Sequence, residues 1–181
     1  MTTLWATLLC SALSFTEQRF EVPGRVLWAD GVDVDGDKRA DLVVFFRRGE
    51  EPNTKRAIAW YLQKDGGSFS AQPSEVRTLA DDVSFATLDD LDSDGRTEVV
   101  LLSAEAVLTF AFTDKGLAEH PTTILKATTA TPFAENEDLP EWKFVDDWHQ
   151  TGHKELALWK VGATNAARKQ HITHESTLDL W

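Results

Sequence analysis

Nine residues near the start of the chain carry more negative charge than a tight turn can hold unaided. The stretch Asp33-Val34-Asp35-Gly36-Asp37-Lys38-Arg39-Ala40-Asp41 has carboxylates at positions 1, 3, 5 and 9, and the apolar run Leu42-Val43-Val44-Phe45 follows at once. Like charges packed so closely repel one another. A hard cation with oxygen ligands removes the repulsion, and calcium is the usual one. The pattern returns in Asp90-Leu91-Asp92-Ser93-Asp94-Gly95-Arg96-Thr97-Glu98, before Val99-Val100-Leu101-Leu102. An eroded third copy, Asp147-Trp148-His149-Gln150-Thr151-Gly152-His153-Lys154-Glu155, precedes Leu156-Ala157-Leu158-Trp159. The three starts, 33, 90 and 147, are 57 residues apart both times. The fold therefore has to be built unit by unit.

Other positions fall into register with the loops. Five residues before each stand Trp28, Phe85 and Trp142, and twelve residues after each start stand Phe45, Leu102 and Trp159. The pattern reads as strand, acidic turn, strand. The return runs Leu42–Phe46 and Val99–Leu102 are continuously apolar and β-rich, as strands buried on both faces should be. In the first unit Ile58, Trp60 and Leu62 alternate with Ala57 and Ala59. Lys64-Asp65-Gly66-Gly67 is a turn signal, and Glu75–Leu79 closes the unit. In the second, Leu108, Phe110 and Phe112 share a face, Asp114-Lys115-Gly116 turns, and Thr122–Leu125 is the outer strand. Insertions at Arg47–Lys55 and Ala127–Glu141 read as surface loops, and Ala163–Gln170 as a short helix or an irregular strand pair. Repeated units of four short strands predict an all-β fold of β-propeller-type blades, at about 26–82, 83–139 and 140–181. Three blades do not close a ring, so the expectation is that further blades of the same chain complete the propeller, the alternatives being closure as a homo-oligomer or an open array of blades.

Asp-x-Asp-x-Asp-x-x-x-Asp-Leu followed by apolar residues resembles the FG-GAP/VCBS repeat family, found in integrin α-chain propellers and many bacterial surface proteins. The resemblance covers roughly Val26 to Trp159. It implies that each loop joins two strands of a blade and binds Ca2+. The implied ligands are Asp33, Asp35, Asp37 and Asp41 with the Arg39 carbonyl, and Asp90, Asp92, Asp94 and Glu98 with the Arg96 carbonyl. Lys38 stands where the second loop has Gly95, at a position that often needs positive φ. The third loop keeps only Asp147 and Glu155 and is expected to serve as a turn. The EF-hand shares positions 1, 3 and 5 but needs a bidentate acid at position 12 between helices. Val44 and Leu101 stand there, so that reading fails.

Other chemistries fit less well. His149 and His153 lie in a loop, so their i, i+4 spacing does not make a helical zinc face, and His171 and His174 come later. An aspartate ladder is an ion-ligand pattern before it is a glycosidase acid and base. No nucleophile elbow, phosphate-binding glycine loop or metalloprotease helix motif is present. The Trp at matching positions read as blade core; Trp60, Tyr61 and Trp148 are the ones whose exposure bears on ligand stacking. A net charge of −12 argues against nucleic acid and anionic membrane surfaces. With 42% hydrophobic residues and seven Trp, the chain can bury a real core. The single cysteine, Cys10, makes no disulfide framework. Residues 1–16 carry no charged side chain and read as a signal peptide or a first strand, too short to be a transmembrane segment. The expectation is a secreted, periplasmic or cell-surface, non-catalytic module that binds a protein or glycan ligand. The alternative is the accessory propeller of a secreted carbohydrate-active or other enzyme whose catalytic domain lies outside this sequence.

Overall fold

The computed structural model describes residues 17–50, 52–113, 116–126, 144–161 and 176–180. The proposed signal segment with Cys10, the insertion after Lys126, Trp142, residues 163–170, His171 and His174 lie outside them. The described residues form strands and turns only. The first sheet is an antiparallel meander of β1 (Arg25–Val32), β2 (Asp41–Arg48), β3 (Lys55–Tyr61) and β4 (Glu75–Thr78). The second contains β5 (Val83–Asp89), β6 (Glu98–Ser103), β7 (Ala106–Thr113), β8 (Gly116–Leu117) and β9 (Thr122–Lys126), with β8 and β9 both pairing β7. The third pairs β10 (Val145–Asp146) with β11 (Glu155–Val161), and β11 with β12 (Ser176–Leu180). The fold is therefore all-β, a set of partial propeller-type blades, as the periodicity implied. The two-residue strand β8 and the terminal strand β12 had no clear signal in the sequence.

The hairpins around the three acidic loops share one register. Gly31 faces Leu42, Leu88 faces Val99 and Val145 faces Leu156, each pair one period from the last. An irregularity between Val26 and Trp28 recurs between Val83 and Phe85, so even the local kink belongs to the repeat. Trp28 and Phe85 then pair with Phe45 and Leu102. In the first blade this brings the Trp28 and Phe45 rings into a stack, centroids 4.0 Å apart at 17°.

Packing between blades follows a rule of faces. Val43, Phe45, Ile58 and Trp60 of the first sheet share a core with Val99, Leu101 and Phe112 of the second. On the other side of the second sheet, Val100, Leu102 and Val107 pack with Phe144, Val145, Leu156 and Leu158. One period on, 43 and 45 correspond to 100 and 102, and 99 and 101 to 156 and 158. Each blade thus presents one face to the next and the opposite face to the one before. This is why β2 and β6 read as unbroken apolar runs, since both of their faces are covered. Polar bonds tie the same seams: Arg77 donates to the carbonyls of Leu117 at 3.0 Å and Ala118 at 2.6 Å, and Lys154 meets Asp89 at 2.7 Å. The Asp89 contact, with burial opposing it, lifts the Lys154 ammonium above its ordinary value.

The first sheet's remaining face, built from Val44, Phe46, Ala57, Ala59 and Tyr61, is covered by the strap 17–24 through Phe20 and Val22, with Phe69 alongside. Phe20 sits edge-on to both Tyr61 and Phe69, and the Tyr61 hydroxyl donates to the Glu21 carbonyl at 2.8 Å. At Gly24 the strap runs so close to β2 that a Cβ would lie 2.0 Å from the Arg47 carbonyl oxygen, which leaves room for glycine alone.

Candidate metal centre

Each acidic loop folds around its first carboxylate. Asp33 accepts from the amides of Gly36 at 2.7 Å and Asp37 at 3.2 Å through Oδ1, and from Lys38 at 2.7 Å through Oδ2. Asp90 accepts from Asp94 at 3.0 Å and Gly95 at 2.9 Å, and Asp147 from Thr151 and Gly152, both at 2.7 Å. Position 5 then caps position 7: the Asp37 carboxylate takes the Arg39 amide and that of Asp94 takes the Arg96 amide, both at 2.8 Å. In the third loop Thr151 makes the weaker version to His153 at 3.4 Å. Side chains that bond nearby backbone amides are what make Asp a turn former.

Such a turn requires left-handed backbone at positions 4 and 6. Gly36 and Lys38 have φ of 82° and 68°, Ser93 and Gly95 of 61° and 87°, Gln150 and Gly152 of 55° and 81°. Lys38 therefore carries the strain that its alignment with Gly95 implied. Space is open around Gly95, so a methyl group there meets nothing and its cost is purely conformational. Gly95→Ala should lower stability by about 1–2 kcal/mol, read as a shift in the urea midpoint at constant slope. Lys38→Gly should raise it by less, because glycine adds entropy to the unfolded chain.

The turn draws three carboxylates together in each of the first two loops. Asp33, Asp35 and Asp37 offer oxygens all within 4.8 Å of one another, and so do Asp90, Asp92 and Asp94. Burial, with smaller contributions from Asp41, Asp37 and Asp33, pushes the Asp35 carboxyl above its ordinary value, against the Asp37 amide bond that lowers it. Glu98 is raised likewise by burial and by Asp92, Asp90 and Asp94, against its Leu91 amide bond. One carboxylate in each loop thus disfavours its own charge. Asp147 ends below its ordinary value: burial raises it, but the Gly152 and Thr151 amides and the Thr151 hydroxyl together lower it further.

The position-9 carboxylates brace the loops from behind. Asp41 is fully buried, accepting from the Val34 amide at 3.0 Å and from the Gln63 amide at 2.7 Å. Glu98 accepts from Leu91 at 2.9 Å. Glu155 accepts from the His149 amide at 3.2 Å and meets the His149 Nδ1 at 2.5 Å, so an imidazole faces the carboxylate where the other loops have an aspartate. The Arg39 side chain ion-pairs with Asp37 and reaches the Gln63 carbonyl at 3.2 Å and Asp65 at 2.9 Å. No local pattern marks Asp41 as the residue that joins its loop to Gln63 beyond β3, because Gln63 lies 22 residues away. Of the aromatic residues weighed for stacking, Trp60 and Tyr61 are buried while Trp148 is 39% exposed.

Stacked antiparallel blades whose first hairpins close on acidic loops define a propeller-type repeat module. Residues 33–101 match the family model of the FG-GAP-like repeat, a span that holds both complete loops, the whole of β2, and β6 as far as Leu101. This stretch of the chain is an FG-GAP-like repeat segment. No curated protein and no solved structure matches the chain. Among the described residues no helix is long and apolar enough to cross a membrane.

Proposed function

We propose that the chain is a non-catalytic, calcium-stabilised interaction module that works outside the cytoplasm and contacts a protein or glycan through its loops. The observation that supports this is the convergence of Asp33, Asp35 and Asp37, and of Asp90, Asp92 and Asp94, within 4.8 Å. The donor set is all hard oxygen, which suits calcium or magnesium and not a thiolate-seeking metal. Burial first, and the neighbouring carboxylates after it, raise Asp35 and Glu98, which is in keeping with a site whose charge a cation would offset. These six aspartates would hold the ions together with Asp41, Glu98 and the Arg39 and Arg96 carbonyls, Asp41 and Glu98 also bracing the loops through backbone amides. A bound ion supplies the charge that neutralises each turn. Modest calcium affinity belongs to extracellular modules, and the acidic surface is in keeping with export.

Thermal unfolding in EDTA, calcium and magnesium tests the reading. At one hundred times the dissociation constant a ligand adds about 2.7 kcal/mol per site, and two sites in a chain of this size should raise the midpoint by roughly 10–20 °C. Asp35→Ala or Asp92→Ala should halve the shift, and the pair should abolish it. A cooperative transition in EDTA that calcium leaves in place would make the loops plain acidic turns.

A further inference from the structure

Position 7 holds an arginine in both complete loops, Arg39 and Arg96, and the fold gives the two side chains different surroundings. The Arg39 guanidinium ion-pairs with Asp37, one of the three carboxylates that converge in the first loop. Its Nε donates to the Gln63 carbonyl at 3.2 Å, and its Nη1 donates to Asp65 at 2.9 Å. The amide of the same Gln63 donates to Asp41 at 2.7 Å. Positions 7 and 9 therefore both grip residue 63, which fixes the guanidinium beside the loop. The Arg39 and Asp37 side chains are only 38% and 23% accessible. In the second loop Asp94 and Arg96 are exposed and meet through the Arg96 amide at 2.8 Å. Among the described residues the Arg96 guanidinium makes no ion pair with Asp94.

We propose that Arg39 is a resident counter-ion of the first loop, steadying its carboxylates when no metal is bound and competing with the metal for Asp37; the inference rests on the reading of the loops as cation sites. Three carboxylates drawn within 4.8 Å repel one another, and a guanidinium on one of them offsets part of that repulsion. The same positive charge opposes a divalent ion entering the loop. Asp37 cannot swing away from it, because its carboxylate also accepts from the Arg39 amide at 2.8 Å. The guanidinium cannot leave easily either, since the Gln63 carbonyl and Asp65 hold it from the other side. The Arg39 carbonyl, a ligand in the proposed set, belongs to the backbone and stays whatever side chain stands there. Arg39 thus sets the affinity of the loop without its side chain touching the ion. The first hairpin keeps its shape when calcium is scarce, and binds it more weakly in consequence.

The test silences the second loop with Asp92→Ala and follows the unfolding of the full chain in EDTA and against rising calcium. In this background Arg39→Gln should have two opposite effects. In EDTA it should lower the ratio of folded to unfolded chain roughly two- to fivefold. In calcium it should tighten the dissociation constant of the first loop roughly three- to tenfold. Arg39→Lys, which restores the charge, should return both values most of the way. Arg96→Gln, set in an Asp35→Ala chain that leaves only the second loop, should move its constant by less than about twofold. A purely structural role would not make a variant that is less stable when empty bind calcium more tightly. An unchanged or weakened affinity in Arg39→Gln would overturn the assignment while leaving the metal reading standing, and so would an equal effect of Arg96→Gln. Unchanged stability in EDTA would overturn it too. No calcium shift in the unaltered chain, with both loops intact, would overturn the metal reading and the competition together.

Discussion

Asp41→Ala is expected to lower stability by about 3–5 kcal/mol, even in EDTA. The carboxylate is inaccessible to solvent and holds two backbone amides, one in its own turn and one beyond the third strand. A hydrogen bond to a charged group contributes about 1.5–3 kcal/mol, and an amide left without an acceptor loses its full desolvation cost. Alanine takes the acceptor from both amides at once and offers nothing in return. The measurement is chemical denaturation with the chelator present, so that any calcium effect is held out. Asp41→Asn keeps one acceptor oxygen and should lose about half as much. Glu98→Ala, which releases only the Leu91 amide, should also fall well short of Asp41→Ala. Equal losses at Asp41 and Glu98 would show that the bond to Gln63 contributes nothing.

Phe45→Ala should cost a similar amount, about 3–5 kcal/mol, for a different reason. Phe45 is fully buried, stacks on Trp28 at 4.0 Å, and belongs to the core shared by the first two blades. Truncation loses the ring's transfer energy and leaves a void that rigid sheets on both sides cannot close. Because that void sits in the seam between blades, the first blade should also open separately. Hydrogen exchange should then show β1 to β4 losing protection before β5 to β7. Phe45→Leu, which keeps most of the volume, should cost less and preserve a single transition. A Phe45→Ala chain that unfolds in one step with unchanged slope would mean the seam is held by other contacts, such as the edge-on pair Trp60 and Phe112.

The loops and the strands flanking them were legible because both depend on near neighbours. Aspartates at alternate positions bond amides two to five residues away, and β2 and β6 advertise burial through unbroken apolar runs. The alternation of Ile58 and Trp60 with Ala57 and Ala59 correctly divided the two faces of β3. Contacts made across blades, or between separate turns of one blade, were not legible. Arg77 reaching Leu117 and Ala118, Lys154 reaching Asp89, and Asp41 reaching Gln63 each join residues brought together by topology, with no local pattern to mark them. The strap was missed for a related reason. Phe20 and Val22 look like any short apolar pair until the face they cover is known. The eroded third loop shows the reverse case, where losing two aspartates left the turn standing because Asp147 still holds its amides.

The rule that each blade meets its predecessor with one face and its successor with the other gives the stack a direction. A directional contact between unlike faces has no symmetry axis at which to finish. Units joined that way either curve into a ring or continue as a fibre. The strap 17–24 lies on the first sheet's face that, one period on, receives a preceding blade. Any blade offered to that face, from this chain or another, must first expel Phe20 and break the bond between Tyr61 and Glu21. Eight residues with no repeat signature of their own thus work as a stopper, turning a surface made for growth into one that declines it.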